Sequence, residues 1–527
     1  MLMRPIRDSR FDITGLYWIE AFTVQATFGD VSAPRAHWTG LFALVATVVV
    51  GCLIWGWKHR AGSVDMALHY ALVEFIRDNW AWPTPAVMHM GEMNQYPPVS
   101  HTVAAIGGAL TGSSFLGLHL VSTASVIAVY ASLFVMLRFR SAQATLAAVA
   151  ALVTVTLVFG FMRALLGREI VGNFFFPQLF GEMCVFALVL LRSRLAPGIQ
   201  REICLAIAAT FLLGWVYPIA AVQWAGIAVA WRVLRLWKTW QTSCRVGPVD
   251  LIWFAILLIG VLVAILLHPL FQFVTGLASN DGSIEFRIPG VMVVPAALLL
   301  GMVGLVLGWE FARGRLKLRA PDGFVALCGG IAGAALAQAA AFYLLGIGSR
   351  YGVYKHMFAV STLLFASAIV CTIHFSRYDT AAASAPRRAR QARLSFVPAT
   401  LIALLACNVP WRGERLPSIL RNESFLKAAM TQNTDIKSHA VLLGGGYIER
   451  FGFSMGNLGL SKERALVLIY ESAGTPQERQ AVVDNTPIKY AFVASNSVRD
   501  PACAIRADEA SQLSLVSYPC QFRPASQ

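Results

Sequence analysis

Charged side chains are scarce: Asp, Glu, Lys and Arg make up only 13% of the 527 residues, about half the share in an ordinary soluble domain. With 57% apolar residues and a mean hydropathy of +0.61, that scarcity excludes a soluble enzyme, a disordered chain and a coiled coil. Metal-binding signatures are missing as well. The nine cysteines form no CxxC and no Cys/His cluster, which argues against a structural metal. Cys52, Cys184, Cys204, Cys244, Cys328, Cys371 and Cys407 lie in or near apolar segments. Only Cys503 and Cys520 share a polar stretch, where an oxidising compartment would let them pair. Gly444-Gly445-Gly446 follows a strand-like run without a GxGxxG or P-loop, so it reads as a tight turn. Residues 1–37 hold no short apolar core with a small-residue cleavage site, so no cleaved signal peptide is expected. There is no internal repeat.

What the sequence has in abundance is apolar runs of bilayer-spanning length, about 20 residues each. They fall near 38–57, 115–137, 142–161, 176–192, 249–271, 290–311, 324–347 and 354–374, with a shorter one near 395–409. The stretch 203–235 is too long for one span and splits at Tyr217-Pro218. The reading is an α-helical integral membrane protein of about eleven transmembrane helices. The first span serves as an uncleaved anchor.

The chain carries a net charge of +15, and the placement of that excess speaks for topology rather than nucleic acid. One set of segments holds Arg4, Arg7, Arg10 and Arg35; Arg138 and Arg140; Arg192, Arg194 and Arg201; Arg232, Arg235, Lys238 and Arg245; Arg313, Arg315, Lys317 and Arg319; and Arg377, Arg387, Arg388, Arg390 and Arg393. The alternate set holds only Lys58, Arg60, Arg77, Arg163, Arg168, Arg287, Arg350 and Lys355. The positive-inside rule then puts the N-terminus in the cytoplasm and the C-terminus outside. Residues 410–527 are polar and lack any spanning run. Strand-like stretches at 440–443, 466–470 and 490–494, with a helix-like one at 476–483, predict a small extracytoplasmic α/β domain.

The outward loop 58–114 is unusually long and opens on a helical stretch, Val64 to Asn79. On a wheel of about 100° per residue, Asp65, Leu68, His69, Leu72, Phe75 and Ile76 share one side. Tyr70, Glu74, Arg77 and Asp78 make the opposite face, expected to be solvated. A carboxylate amid an apolar face is costly unless paired or functional. A helix N-cap for Asp65 and a backbone partner for His69 are the plainer alternatives. Downstream come Trp80-Ala81-Trp82-Pro83, suited to a membrane interface, then Glu92, then Tyr96-Pro97-Pro98 and His101. The double proline forces an extended entry into the next apolar helix. Glu92 reads equally well as a solvated loop residue.

This layout resembles the GT-C superfamily of polytopic membrane glycosyltransferases, which use lipid-phosphate-linked sugars. The features that carry the resemblance are an N-terminal span, an outward loop with an aspartate starting an interfacial helix, and a Tyr-Pro-Pro entry to the second span. It covers about residues 1–410, the transmembrane domain at 38–409 included, and is similar in layout to the arabinofuranosyltransferase-like branch. The resemblance implies that Asp65 is the general base, deprotonating the acceptor hydroxyl as it attacks the anomeric carbon with inversion, and that His69 orients it. It implies a polyprenyl-phosphate sugar donor, a glycan, lipid or protein acceptor outside the membrane, and substrate contacts from Glu92, Tyr96 and His101. The adjacent acidic pair of metal-dependent members is absent, since Met66 follows Asp65. No cofactor is thereby certain, and a divalent cation stays an open candidate.

The leaving phosphate needs fixed cations near the outer leaflet. Arg350-Tyr351-Gly352-Val353-Tyr354-Lys355-His356 opens the tenth span there, with Arg350 and Tyr354 on one helix face and Tyr351 and Lys355 on another. The Tyr-x-x-Lys pattern resembles phosphate-binding segments of lipid-linked sugar transferases, although snorkelling beside aromatic anchors gives the same pattern. Arg163 and Arg168, with Glu169 and Asn173, form a second group, suited either to phosphate and sugar or to a plain ion pair. His268 and Arg287 border the fourth outward loop. A flippase or transporter of lipid-linked saccharides is the competing function; such proteins place ionisable groups near the midplane. The charge bias and outward tail fit a bacterial plasma membrane.

Overall fold

The computed structural model describes residues 64–83, 93–94, 96–139, 144–145, 148, 151–152, 165–167, 176–195, 198–271, 290–318, 320–375, 416–432, 440–442, 489–495, 498, 500–508 and 513–517. Apolar sequence, proline and glycine set its helix boundaries. The helix α1 (Val64–Asn79) is followed by α2 (Val99–Thr111), which begins directly after Pro97-Pro98 and ends on Gly112 in a left-handed conformation. Ser113 then caps α3 (Ser114–Met136), its hydroxyl accepting from Leu116 N. Next come α4 (Phe176–Leu195), α5 (Ile199–Val216) and α6 (Pro218–Ser243). Tyr217 is extended and Pro218 takes the first turn of α6, where a missing N–H costs nothing. The bundle continues with α7 (Pro248–Leu266), α8 (Val293–Ala312), α9 (Pro321–Leu345), the short α10 (Arg350–Lys355) and α11 (Met357–Phe375).

Eight of these segments are long and apolar enough to cross a membrane. They coincide with every expected span that falls on described residues; 38–57, most of 142–161 and 395–409 lie outside them. Large apolar side chains on α7 and α8, among them Ile252, Ile259, Leu262, Leu298, Leu305 and Val306, face outward. In water such a surface would be unfavourable; in a bilayer it meets hydrocarbon. Inside, small residues bring helices close. A Cβ on Gly117 would collide with the Ala104 carbonyl of α2, and one on Gly330 of α9 would collide with Ile227 of α6. Such contacts are how helices associate when lipid removes the hydrophobic drive between them.

The C-terminal region supplies α12 (Leu416–Gln432) and strands β1 (Ala440–Leu442), β2 (Tyr490–Ala494), β3 (Ala504–Asp508) and β4 (Leu513–Ser517). The sheet order is β1-β2-β4-β3; β1 and β2 run parallel, and β4 is antiparallel to both neighbours. Residues 440–442 of the run 440–443, and the run 490–494, are thus strands as expected; 443 lies outside the described residues. The β3–β4 pair was not apparent from sequence alternation, and 466–470 and 476–483 lie outside the described residues. Cys503 is disulfide-bonded; its expected partner Cys520 also lies outside them.

One expectation is corrected. Tyr70 and Glu74 do not face solvent: they are 1% and 9% exposed. The polar side of α1 is covered by α12. Tyr70 OH donates to Glu423 Oε1 at 2.6 Å, Lys427 Nζ lies 3.4 Å from Glu74, and Arg77 and Ser114 also bind Glu74. Ser113 and Lys427 complete the partners of Glu423. Burial, then the charges of Glu423 and Glu74, push the Tyr70 phenol well above its usual value of 10.

Candidate functional site

Gln178 on the first turn of α4, Tyr217 at the α5–α6 junction and Lys355 at the end of α10 meet at one end of the bundle, and His101 on the first turn of α2 packs on Phe176 of α4. Tyr96-Pro97-Pro98 delivers His101 on the first turn of α2. Pro97 cannot donate, but its carbonyl accepts, and it lies 3.1 Å from His101 Nδ1. On α1, His69 Nδ1 lies 2.9 Å from His101 Nε2. Because a carbonyl can only accept, His101 carries its hydrogen on Nδ1 and offers Nε2 as acceptor. His69 therefore donates from Nδ1, and its own Nε2 is the acceptor nitrogen of the pair. Tyr96 and Phe176 box the two rings, with Tyr96 edge-on at 5.2 Å from His69 and Phe176 edge-on at 5.4 Å from His101.

Both imidazoles are held neutral. Burial drives His101 down to about 3. Burial, then the charges of His101 and Lys355, hold His69 well below 6.5. Lys355 is thus electrostatically part of this site although it is far from His69 in the sequence. Its Nζ donates to Tyr217 OH at 2.5 Å and sits 4.0 Å over the Tyr351 ring, so Tyr351 and Lys355 share a face of α10 as expected. Gln178 Nε2 donates to the Lys355 carbonyl at 2.8 Å, fixing the last turn of α10 against α4. A buried ammonium lined by two aromatic rings is poorly hydrated and well suited to meeting an anion.

The other candidates divide. Asp65 lies on α1 one turn before His69, and its side chain is outside the described residues. Glu92, Arg163, Arg168, Glu169, Asn173 and Arg287 lie outside them too. Arg350 is exposed at the start of α10, and Tyr354 is buried with its ring edge-on to Phe358. His268 sits apart, packed against Trp215, which stacks on Trp82. Among the described residues no three His, Cys, Asp or Glu side chains converge to hold a metal ion.

Sequence reasoning missed Phe176, Tyr217 and a buried polar set: Gln178 and Glu182 of α4, Gln223 of α6, Gln338 of α9 and His356. Tyr217 was legible only as a helix break. A single carboxylate and several amides in otherwise apolar spans were the available signal for the rest.

No protein-family model matches the sequence, and comparison with curated proteins finds no match. The molecule is a helical membrane protein by composition and architecture, and its activity has to be argued from the site.

Proposed function

We propose that the chain is an integral membrane glycosyltransferase that moves a sugar from a polyprenyl-phosphate donor to an extracytoplasmic glycan, lipid or protein acceptor, inverting the anomeric centre. The observation that carries this reading is the meeting of His69, His101 and Lys355 at one end of the bundle, with Asp65 one turn from His69. Asp65 takes the proton of the acceptor hydroxyl as its oxygen attacks the anomeric carbon and the bond to the phosphate breaks. His69, with an acceptor nitrogen and a fixed tautomer, orients that hydroxyl. Lys355 receives the charge that grows on the departing phosphate. Arg350, Arg163 and Arg168 are its secondary phosphate contacts, and Glu92, Glu169 and Asn173 its sugar contacts.

In this reading the α1 end of the bundle faces outward from a bacterial plasma membrane, and the N-terminus is cytoplasmic. The region 410–527 is extracytoplasmic; the docking of α12 on α1 supports its place on the same side as the site. The experiment is transfer by purified Asp65→Asn. It loses transfer while keeping wild-type yield and thermal stability; retained turnover removes Asp65 from the mechanism. Lys355→Ala raises KM for the donor about tenfold or more, the loss of a charge-assisted contact. An unchanged donor KM places the phosphate elsewhere.

A second reading, a flippase for the same lipid-linked saccharides, draws on a specific observation: Glu182, Gln223 and His356 are buried within the spans. Ionisable groups at that depth often mark a transport path.

A further inference from the structure

Beneath Lys355, inside the bundle, helices turn polar side chains toward one another. Gln178 and Glu182 lie one turn apart on α4, Gln223 comes from α6, Gln338 from α9, and His356 sits at the break between α10 and α11. Gln178 and Glu182 are each 1% exposed, and Gln223 and His356 are fully buried. Gln223 Nε2 donates to Glu182 Oε1 at 2.8 Å and lies 3.4 Å from His356 Nδ1. His356 Nε2 lies 2.7 Å from Gln338 Oε1. An amide oxygen only accepts, so His356 donates from Nε2 and accepts at Nδ1.

Both hydrogens of Gln223 Nε2 and the one on His356 are therefore committed, while acceptors around them stand open. Gln178 Oε1, Glu182 Oε2 and Gln223 Oε1 are buried and have no hydrogen-bond partner among the described residues. No described Lys, Arg or His forms an ion pair with Glu182. A buried carboxylate with neither counter-charge nor full hydrogen bonding is unfavourable. A proton on Glu182 removes the charge but introduces another donor and satisfies at most one of the remaining oxygens. A water molecule donates to two oxygens but leaves the charge. A small cation answers both needs, because it neutralises the carboxylate and takes lone pairs from several hard oxygens.

We propose that Gln178, Glu182 and Gln223 form a buried binding site for a small alkali cation, of the size of sodium, between α4 and α6. The site has a structural consequence. Gln178 also holds the Lys355 carbonyl, and Gln223 contacts His356. A cation shared by these two amides braces the α10–α11 break that presents Lys355. Burial and hydrogen bonding alone define this site, whatever reaction the bundle performs.

The test is thermal unfolding of the purified full-length protein in detergent near pH 8, in NaCl, KCl and choline chloride of equal ionic strength. The wild-type midpoint is expected to rise by several degrees, in a saturable way, with NaCl or KCl but not with choline. Glu182→Gln, which keeps the volume and removes the charge, is expected to abolish the rise. Equal midpoints in all three salts overturn the site, as does an undiminished rise in Glu182→Gln. Should that variant fail to fold, equilibrium binding of radiolabelled sodium to the wild type decides. One saturable site, weakened at least tenfold in Gln223→Leu, supports the proposal; retention that does not saturate overturns it.

Discussion

His69 and His101 share one hydrogen between two buried rings, and this makes a prediction about acid. Unfolded, each imidazole titrates near 6.5; folded, burial holds His101 near 3 and His69 well below 6.5. Above about pH 6.5 both states are neutral, so the pair gives no pH dependence. Below it the unfolded chain takes up protons that the folded chain does not. Stability then falls as pH drops, by about 1.4 kcal/mol per pH unit for each ring, until the folded values are reached. Unfolding midpoints between pH 7 and 4.5 should fall less steeply in His101→Asn than in the wild type; parallel curves would contradict the neutral pair. The motif was readable at this scale, because Tyr-Pro-Pro and His101 stand out in the sequence. The partnership with His69 was not, since it joins residues 32 apart that only a chain reversal brings together.

Among elements, α12 and α1 show where periodicity stops being informative. The wheel places Tyr70 and Glu74 on a polar face, and that much is right. It assigns the face to water because nothing local reports that Glu423 and Lys427 will cover it. Tyr70 and Glu423 lie 353 residues apart. Their bond is charge-assisted and buried, so Tyr70→Phe and Glu423→Gln should each cost about 1.5–3 kcal/mol. The double variant should cost less than the sum by at least about 0.5 kcal/mol; strict additivity would mean that the pair does not act as a unit. A second element-level prediction concerns the crossing of α6 and α9. Gly330→Ala places a methyl against Ile227 backbone and should destabilise by about 1–3 kcal/mol, seen as a lower midpoint in detergent. An unchanged midpoint would mean that the helices separate freely there.

For the whole molecule, the spans were the most legible feature, because bilayer thickness imposes run length directly on the sequence. The break at Tyr217-Pro218 was equally legible, proline being a local constraint. The polar set around Glu182 was hidden because a few amides in apolar helices leave the average hydropathy nearly unchanged. Orientation makes its own prediction. Cys244, exposed at the turn between α6 and α7, lies at the end of the bundle opposite His69. As the sole cysteine of a variant, it should react with a membrane-impermeant maleimide only after permeabilisation. Labelling in intact cells would invert the topology.

On the proposed function, the α1 end of this bundle makes a glycosidic bond. This is tested most directly by reconstituting the purified protein in vesicles with a panel of labelled polyprenyl-phosphate sugars and extracted envelope acceptors. Label is expected to leave the lipid and appear in acceptor through a new glycosidic bond with wild type and not with Asp65→Asn. Movement of intact lipid-linked sugar across the bilayer by both proteins, without any new bond, would contradict it and establish the transporter instead.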